Sequence, residues 1–112
     1  MKTIQVSEET YDAIKDQLLP AERMDLSSLD DLIGKSFYFR TVTYHLTGKV
    51  TGVIGNLLTL EDSAWIADSG RFMQAIKDGK LNEVEPTGDA IVNLDAVTDF
   101  YPWPHDLPTA QK

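Results

Sequence analysis

The apolar residues of this chain change their spacing at Lys35, and this change limits the folds open to it. Upstream, residues 7–18 place apolar side chains at helical spacing. Downstream, Phe37 and Phe39 alternate with Tyr38, which is the period of a β-strand. The pattern therefore predicts an α+β domain whose main body is antiparallel β-sheet.

Glycines divide the alternating region into strands. Gly48 and Gly52 mark bulges or sharp bends, and Gly55-Asn56 is a two-residue turn that begins with glycine. Three consecutive antiparallel strands are predicted, at residues 37–44, 46–54 and 57–60.

A short helix is predicted after the third strand, over residues 69–78. Asp68 and Ser69 are suited to cap its first free N–H groups, and Gly79 supplies a left-handed stop. Trp65 lies between the strand and the helix, so we expect it to pack beneath the connecting loop. A hydrophilic loop at residues 82–89 and two short strands at residues 90–94 and 97–101 complete the sheet.

The chain of 112 residues has room for one modest core. A sheet this small must curl to hide its edges, so we expect a highly bent small β-barrel. The sequence predicts one domain over residues 1–112. Its parts are an N-terminal helical segment at 1–33 that packs on the barrel, the barrel at 34–101 with the helix inserted between strands 3 and 4, and a proline-rich tail at 102–112.

Negative charge is concentrated in the second half of the chain. The formal net charge is −8, and residues 57–112 hold ten acidic side chains against four basic ones. Such a surface repels phosphate backbones, which argues against direct nucleic-acid binding. It either serves solubility or docks on a basic protein surface. The docking interpretation places the contact on Asp78, Glu83, Glu85, Asp89, Asp95 and Asp99.

The opening of the chain also has to be weighed against ribbon-helix-helix DNA-binding subunits. Those proteins begin with a short strand and a capped helix, as residues 3–18 do. The second helical run, at residues 28–33, is too short for that class, and Lys2 is the only cation on the strand. This alternative is therefore disfavoured.

Motifs of catalysis, metal binding and membrane insertion are missing from the sequence. There is no cysteine, the two histidines are isolated, and no nucleophile elbow or phosphate-binding glycine loop is present. No apolar run is long enough to cross a membrane. We therefore expect a cytoplasmic protein that is not an enzyme and needs no metal or cofactor.

Two groups of residues could instead bind a small ligand. Free N–H groups at a helix start, with an arginine and an indole nearby, suit a nucleotide; these residues are Trp65, Asp68, Ser69, Gly70 and Arg71. A hairpin end adds a second polar group, which consists of Arg40, Thr41, Thr43, Tyr44 and His45. Ordinary capping, core packing and sheet-surface roles also explain both groups, and these simpler interpretations are preferred.

Three stretches carry a resemblance to a known group of proteins. They are GKSFYFRTVTYHLTGKV, LEDSAWIADSGRFMQAI and VNLDAVTDF. The region from 34 to 101 resembles small uncharacterised proteins of bacteriophages and prophages. The resemblance implies an SH3-like or Sm-like barrel and a mobile-element origin. Together with the missing catalytic motifs and the uneven negative charge, it motivates the hypothesis of a non-enzymatic inhibitor of a host defence protein, for example of CRISPR type, or of a nucleic-acid-processing protein.

The aromatic residues are numerous for one small barrel. Some of them are expected to be buried between subunits, which predicts a homo-oligomer, most simply a dimer. The set consists of Phe37, Phe39, Trp65, Phe72, Phe100, Tyr101 and Trp103.

Overall fold

Five antiparallel strands form one sheet in the order β4-β3-β2-β1-β5 in the computed structural model, which describes residues 25–112. One α-helix, α1, connects β3 to β4, and two short 3-10 helices precede β1 and β5. The bounds are 3-10 helix Leu29–Leu32, β1 Ser36–Thr41, β2 His45–Ile54, β3 Leu57–Asp68, α1 Phe72–Asp78, β4 Glu83–Asn93, 3-10 helix Leu94–Ala96 and β5 Val97–Pro102. The predicted N-terminal helix lies outside the described residues.

The predicted hairpins of β1, β2 and β3 are confirmed. The register of β2 against β3 shifts beside both glycines named from the sequence, between Thr47 and Lys49 and between Val50 and Gly52. Gly55 turns the chain at φ +60°, a conformation that glycine adopts without strain. Glycine at these positions therefore bends and turns the sheet as the sequence indicated.

The sheet buries a separate core on each face. We call the face that carries Phe37 and Phe39 the first face, and the face that carries Tyr38 the second face. The first-face core also contains Leu46, Val50, Leu58, Leu60 and Val92, with Phe100 packed against it. The second-face core is closed by α1 and by the tail, through Ala75, Ile76 and Trp103. Two cores accommodate most of the aromatic residues that seemed too many for one.

The long pairing of β3 with β4 corrects two predictions. The third strand continues to Asp68 instead of ending at Leu60, and β4 begins at Glu83 inside the predicted hydrophilic loop. Pro86 and Gly88 led the sequence interpretation toward a loop, but a strand at the edge of a sheet tolerates both. Pairing with β3 therefore overrides the local turn signals, through register shifts that absorb the irregular residues.

The helix and the barrel also differ from the prediction. Helix α1 begins at Phe72, its N-cap position is Arg71, and no side chain caps it. Asp68 instead accepts a hydrogen bond from the Gly70 N–H at 2.8 Å, so it shapes the turn before the helix. Gly79 ends the helix at φ +74°, as predicted. The bent sheet does not close into a barrel, because β4 and β5 remain its two edges.

Candidate functional site

An apolar groove of about 580 Å³ opens on the first face, between the end of the β1–β2 hairpin and β4. Cross-strand pairing places Leu46, Trp65 and Glu85 side by side across β2, β3 and β4. The floor of the groove belongs to the first-face core, which includes Leu46 and Val92. The lining residues are Thr43, Tyr44, Leu46, Ser63, Trp65, Thr87, Ala90, Ile91 and Val92.

Large side chains remain exposed around this groove. Trp65 is 43 % exposed, Tyr44 46 % and Ile91 66 %. A tryptophan that is half exposed beside an apolar floor is typical of a contact surface, since burying such a ring against a partner removes a large apolar area from water. Trp65 therefore lies on a strand as part of a surface, and not beneath a loop as the sequence suggested.

Arg40 and Asp99 form the central polar contact of the second face. The guanidinium donates from Nε to Oδ1 at 2.7 Å and from Nη2 to Oδ2 at 2.6 Å. It also lies over the rings of Phe72, at 4.5 Å, and Tyr101, at 5.5 Å. The Asp99 ion pair raises the pKa of Arg40, and the hydrogen bonds from Arg40 lower the pKa of Asp99.

His45 joins the same face through Tyr38. The Tyr38 hydroxyl and Nδ1 of His45 share a hydrogen bond at 2.7 Å, whose direction is set by the tautomer of the imidazole. Burial, followed by the positive charge of Arg40, lowers the pKa of His45. Burial also raises the pKa of Tyr38. Both rings are therefore uncharged at neutral pH, which fits a packing role for this pair.

The residues of the predicted ligand site are divided between the two faces. Trp65 and Thr43 line the groove on the first face, whereas Arg40 and His45 are cross-strand neighbours on the second. Ser69 lies beside the Tyr38 hydroxyl of the second face. Among the described residues, the indole thus shares its face with Thr43 but not with Arg40, His45 or Ser69.

The turn before α1 holds the remaining members of that group. Asp68 lies at the end of β3, Gly70 turns at φ +69°, and Arg71 is exposed just before the helix. Helix α1 is only seven residues long. A nucleotide at this turn therefore stays a prediction.

The acidic residues named from the sequence do not form one continuous surface. Glu83, Glu85 and Asp89 are exposed on β4, and none of them forms an ion pair within residues 25–112. Asp99 is held by Arg40 on β5, at the other edge of the sheet. Asp95 accepts a hydrogen bond from the Asn56 side chain at 2.7 Å, and Asp78 accepts one from Gln74. Of the six, Glu83, Glu85 and Asp89 on β4 are the ones with neither an ion pair nor a side-chain hydrogen bond within residues 25–112.

Sequence reasoning named Tyr44 at the hairpin end, but it missed Ile91, which lines the same groove. The two residues lie on different hairpins, and only the extension of β3 and β4 brings them to one groove. A strand assignment for residues 83–93 would have shown the alternation that turns Ile91 outward. The signal was present but was hidden by Pro86 and Gly88.

Within residues 25–112, no cluster of three or more metal-ligating side chains is found. None of the described helices is long and apolar enough to span a membrane. 

Comparison with known proteins gives structural neighbours only. No protein-family model matches the sequence, and no curated protein matches it significantly. The SmAP1 heptamer of P. aerophilum superimposes with a TM-score of 0.50 at 22 % identity, covering 72 % of this chain and all of that one. A heptameric archaeal Sm protein gives 0.49 at 24 % identity over 68 % and 96 % of the two chains, and the Sm-like protein AF-Sm2 of Archaeoglobus fulgidus gives 0.48 at 17 % over 72 % and 99 %.

The fold is therefore Sm-like: a small, strongly bent five-stranded antiparallel sheet. This confirms the Sm-like half of the fold that the resemblance implied. None of the three neighbours is a bacteriophage protein, so the mobile-element origin has no support from them.

Proposed function

We propose that this chain is a non-enzymatic binding protein that assembles with copies of itself through the outer edges of β4 and β5. The observation that carries the proposal is the exposed pair Trp65 and Ile91 beside a strand edge. Within residues 25–112, β4 pairs laterally with β3 and β5 with β1, so each strand has an outer side without a neighbouring strand of the sheet. An edge strand with adjacent apolar side chains is a template for a further strand.

The geometry favours a ring over the dimer predicted from the sequence. Pairing β4 of one copy with β5 of the next joins two different surfaces, and such head-to-tail contacts form a ring when the rotation between copies closes and an open filament when it does not. A two-fold dimer would instead join like edges. The P. aerophilum SmAP1 neighbour is a heptamer, which supports the ring for this fold.

Two isoleucines of nearly equal exposure provide the test. Ile91 is 66 % exposed at the groove, and Ile54 is 65 % exposed at the end of β2, away from it. Burying an isoleucine is worth about 1.5–3 kcal/mol. In sedimentation measurements, Ile91→Lys should therefore raise the concentration needed for assembly by roughly tenfold or more. Ile54→Lys should leave it unchanged, and equal assembly of both variants would contradict the proposal.

A second function is favoured by the carboxylates of β4. Glu83, Glu85 and Asp89 are exposed and have no ion-pair partner within residues 25–112, and Glu85 lies opposite Trp65. A carboxylate beside an indole ring suits a lysine or arginine side chain, which uses both its charge and its apolar stem. A protein partner with a basic surface fits this arrangement.

The more specific form of this function is inhibition of a host defence or nucleic-acid-processing protein. It is supported by the uneven negative charge and by the lack of catalytic motifs in the sequence. In this form the carboxylates of β4 occupy a basic site that otherwise holds nucleic acid. The chain itself is then not expected to bind RNA or DNA, because its net charge of −8 repels phosphates.

A further inference from the structure

Residues 103–112, which we call the strap, fold back across the second face. Trp103 is buried at 3 % exposure against the Tyr38 ring, and its indole N–H donates to the Asp106 carbonyl at 3.2 Å. The His105 Nε2–H donates to the Ile76 carbonyl of α1 at 2.7 Å. The side chain of Leu107 packs on the same core. These contacts fix the path of the strap across α1.

Lys112 of the strap pairs with the outer edge of β4 and adds one strand position there. Lys112 and Val84 exchange both backbone hydrogen bonds, the N–H of each donating to the carbonyl of the other at 3.0 Å. This reciprocal exchange is the hydrogen-bonded pair of an antiparallel ladder. Since the opposite side of Val84 faces β3, the strap occupies the outer edge of the sheet at this residue.

The next part of the β4 edge is blocked in another way. Pro86 has no backbone N–H to donate, and the register of β3 against β4 shifts next to it, between Ser63 and Ala64. From Ala90 onward the pairing is regular again, and this part of the edge carries the exposed Ile91. The strap and Pro86 thus cover the beginning of β4 and leave residues 90–93 for a neighbouring strand.

We propose that the strap is an intramolecular competitor for the β4 edge, so that it limits pairing with β5 of a second copy. The effect of the strap on pairing between copies rests on the assembly proposed above. The contact between the strap and Val84 does not depend on that proposal. A second copy that pairs along the whole of β4 must first displace Lys112. Release of the strap therefore adds a pairing position at Val84 and promotes assembly.

Substitutions at Lys112 test this inference in the full chain. Lys112→Pro removes the N–H that donates to Val84, and Lys112→Ala keeps that N–H while losing the same side-chain charge. Exchange of the Val84 amide hydrogen and the assembly concentration from sedimentation are the two readouts. We expect Lys112→Pro to speed amide exchange at Val84 and to lower the assembly concentration by roughly three- to tenfold. The alanine variant should match the parent.

Deletion of residues 109–112 provides a second variant that removes the whole added position. The inference is wrong if Val84 exchanges at the parent rate in both variants, or if exchange rises without any change in assembly. If the parent assembles at the same concentration as its variants, the proposed edge pairing stands and only the inference about the strap is wrong. If the variants assemble and the parent does not, the strap does compete for the β4 edge, but the proposed self-assembly of the full chain is contradicted. If all forms stay monomeric, both proposals fail.

Discussion

Asp99 is the residue whose role the structure changes most. Its carboxylate was expected on a partner-binding surface, yet it receives two hydrogen bonds from Arg40 and a third from the Tyr101 hydroxyl at 3.0 Å. Charge in a sequence does not reveal whether a partner within the chain already uses it. Glu85 and Asp99 look alike in sequence, and only cross-strand pairing separates them.

The ion pair predicts a pH dependence of stability. The pKa of Asp99 in the folded chain lies below its ordinary value of 3.8, chiefly because of the hydrogen bonds from Arg40. Its contribution is therefore present above pH 4 and is lost as pH falls through the lower folded pKa. Both side chains are about one-third exposed, at 32 % and 34 %, so we expect about 1 kcal/mol.

Asp99→Asn should therefore lower the free energy of unfolding at pH 7 by about 1 kcal/mol and by much less at pH 2. Urea unfolding of the parent and the variant at pH 7 and at pH 2 measures this difference in free energy. Asp106→Asn is the control, because this exposed carboxylate forms no ion pair within residues 25–112. An equal loss of stability at both pH values would show that the pair acts through packing alone.

At the scale of elements, local signals predicted the turns and the first hairpins well. Gly55 and Gly79 require left-handed conformations that few other residues adopt, so their positions could be read directly. The ends of β3 and β4 could not be read this way. They exist because two polar, irregular segments pair with each other, and pairing between distant segments is not encoded in either one alone.

Gly79 also connects α1 to the strap. A Cβ atom at this position would lie 2.5 Å from Cγ of His105, and φ is +74°. Gly79→Ala therefore combines left-handed strain with a steric conflict against the strap. Gly55 has φ +60° with nothing within 4 Å of such an atom, so Gly55→Ala isolates the strain.

We expect Gly55→Ala to cost about 1 kcal/mol of unfolding free energy and Gly79→Ala clearly more, measured by urea unfolding. Amide exchange at Val84 should rise in the Gly79 variant alone, because displaced His105 loosens the strap. If both variants lose the same free energy of unfolding, His105 and the strap move away from position 79 at no energetic cost.

For the whole molecule, the two-faced sheet explains how a chain of this size holds its aromatic residues. Phe37, Phe39 and Phe100 enter the first-face core, and Phe72, Tyr101 and Trp103 enter the second. Trp65 is the member of the aromatic set that remains largely exposed. The sequence argument for an interface counted all seven aromatic residues. Within this set, Trp65 at the groove beside β4 is the residue that still supports it.

The distribution of charge around that groove gives the last prediction. Glu83, Glu85 and Asp89 are exposed on β4, and replacing all three by lysine should weaken association with a basic partner. A labelled oligolysine peptide serves as the probe. The control replaces Asp25, Asp30 and Asp106, which are also exposed, by lysine. Each substitution removes a negative charge and adds a positive one, so both variants carry a net charge of −2 instead of −8.

Because the two variants have the same net charge, nonspecific attraction for the peptide is reduced equally in both. Any additional loss of affinity in the β4 variant measures how much Glu83, Glu85 and Asp89 contribute to binding through their position. We expect this difference at low salt and expect it to shrink as the Debye length falls from about 10 Å toward 3 Å. If the two variants bind oligolysine equally at every salt concentration, the carboxylates of β4 are not a recognition surface, and only the self-assembly proposal would remain for this strand.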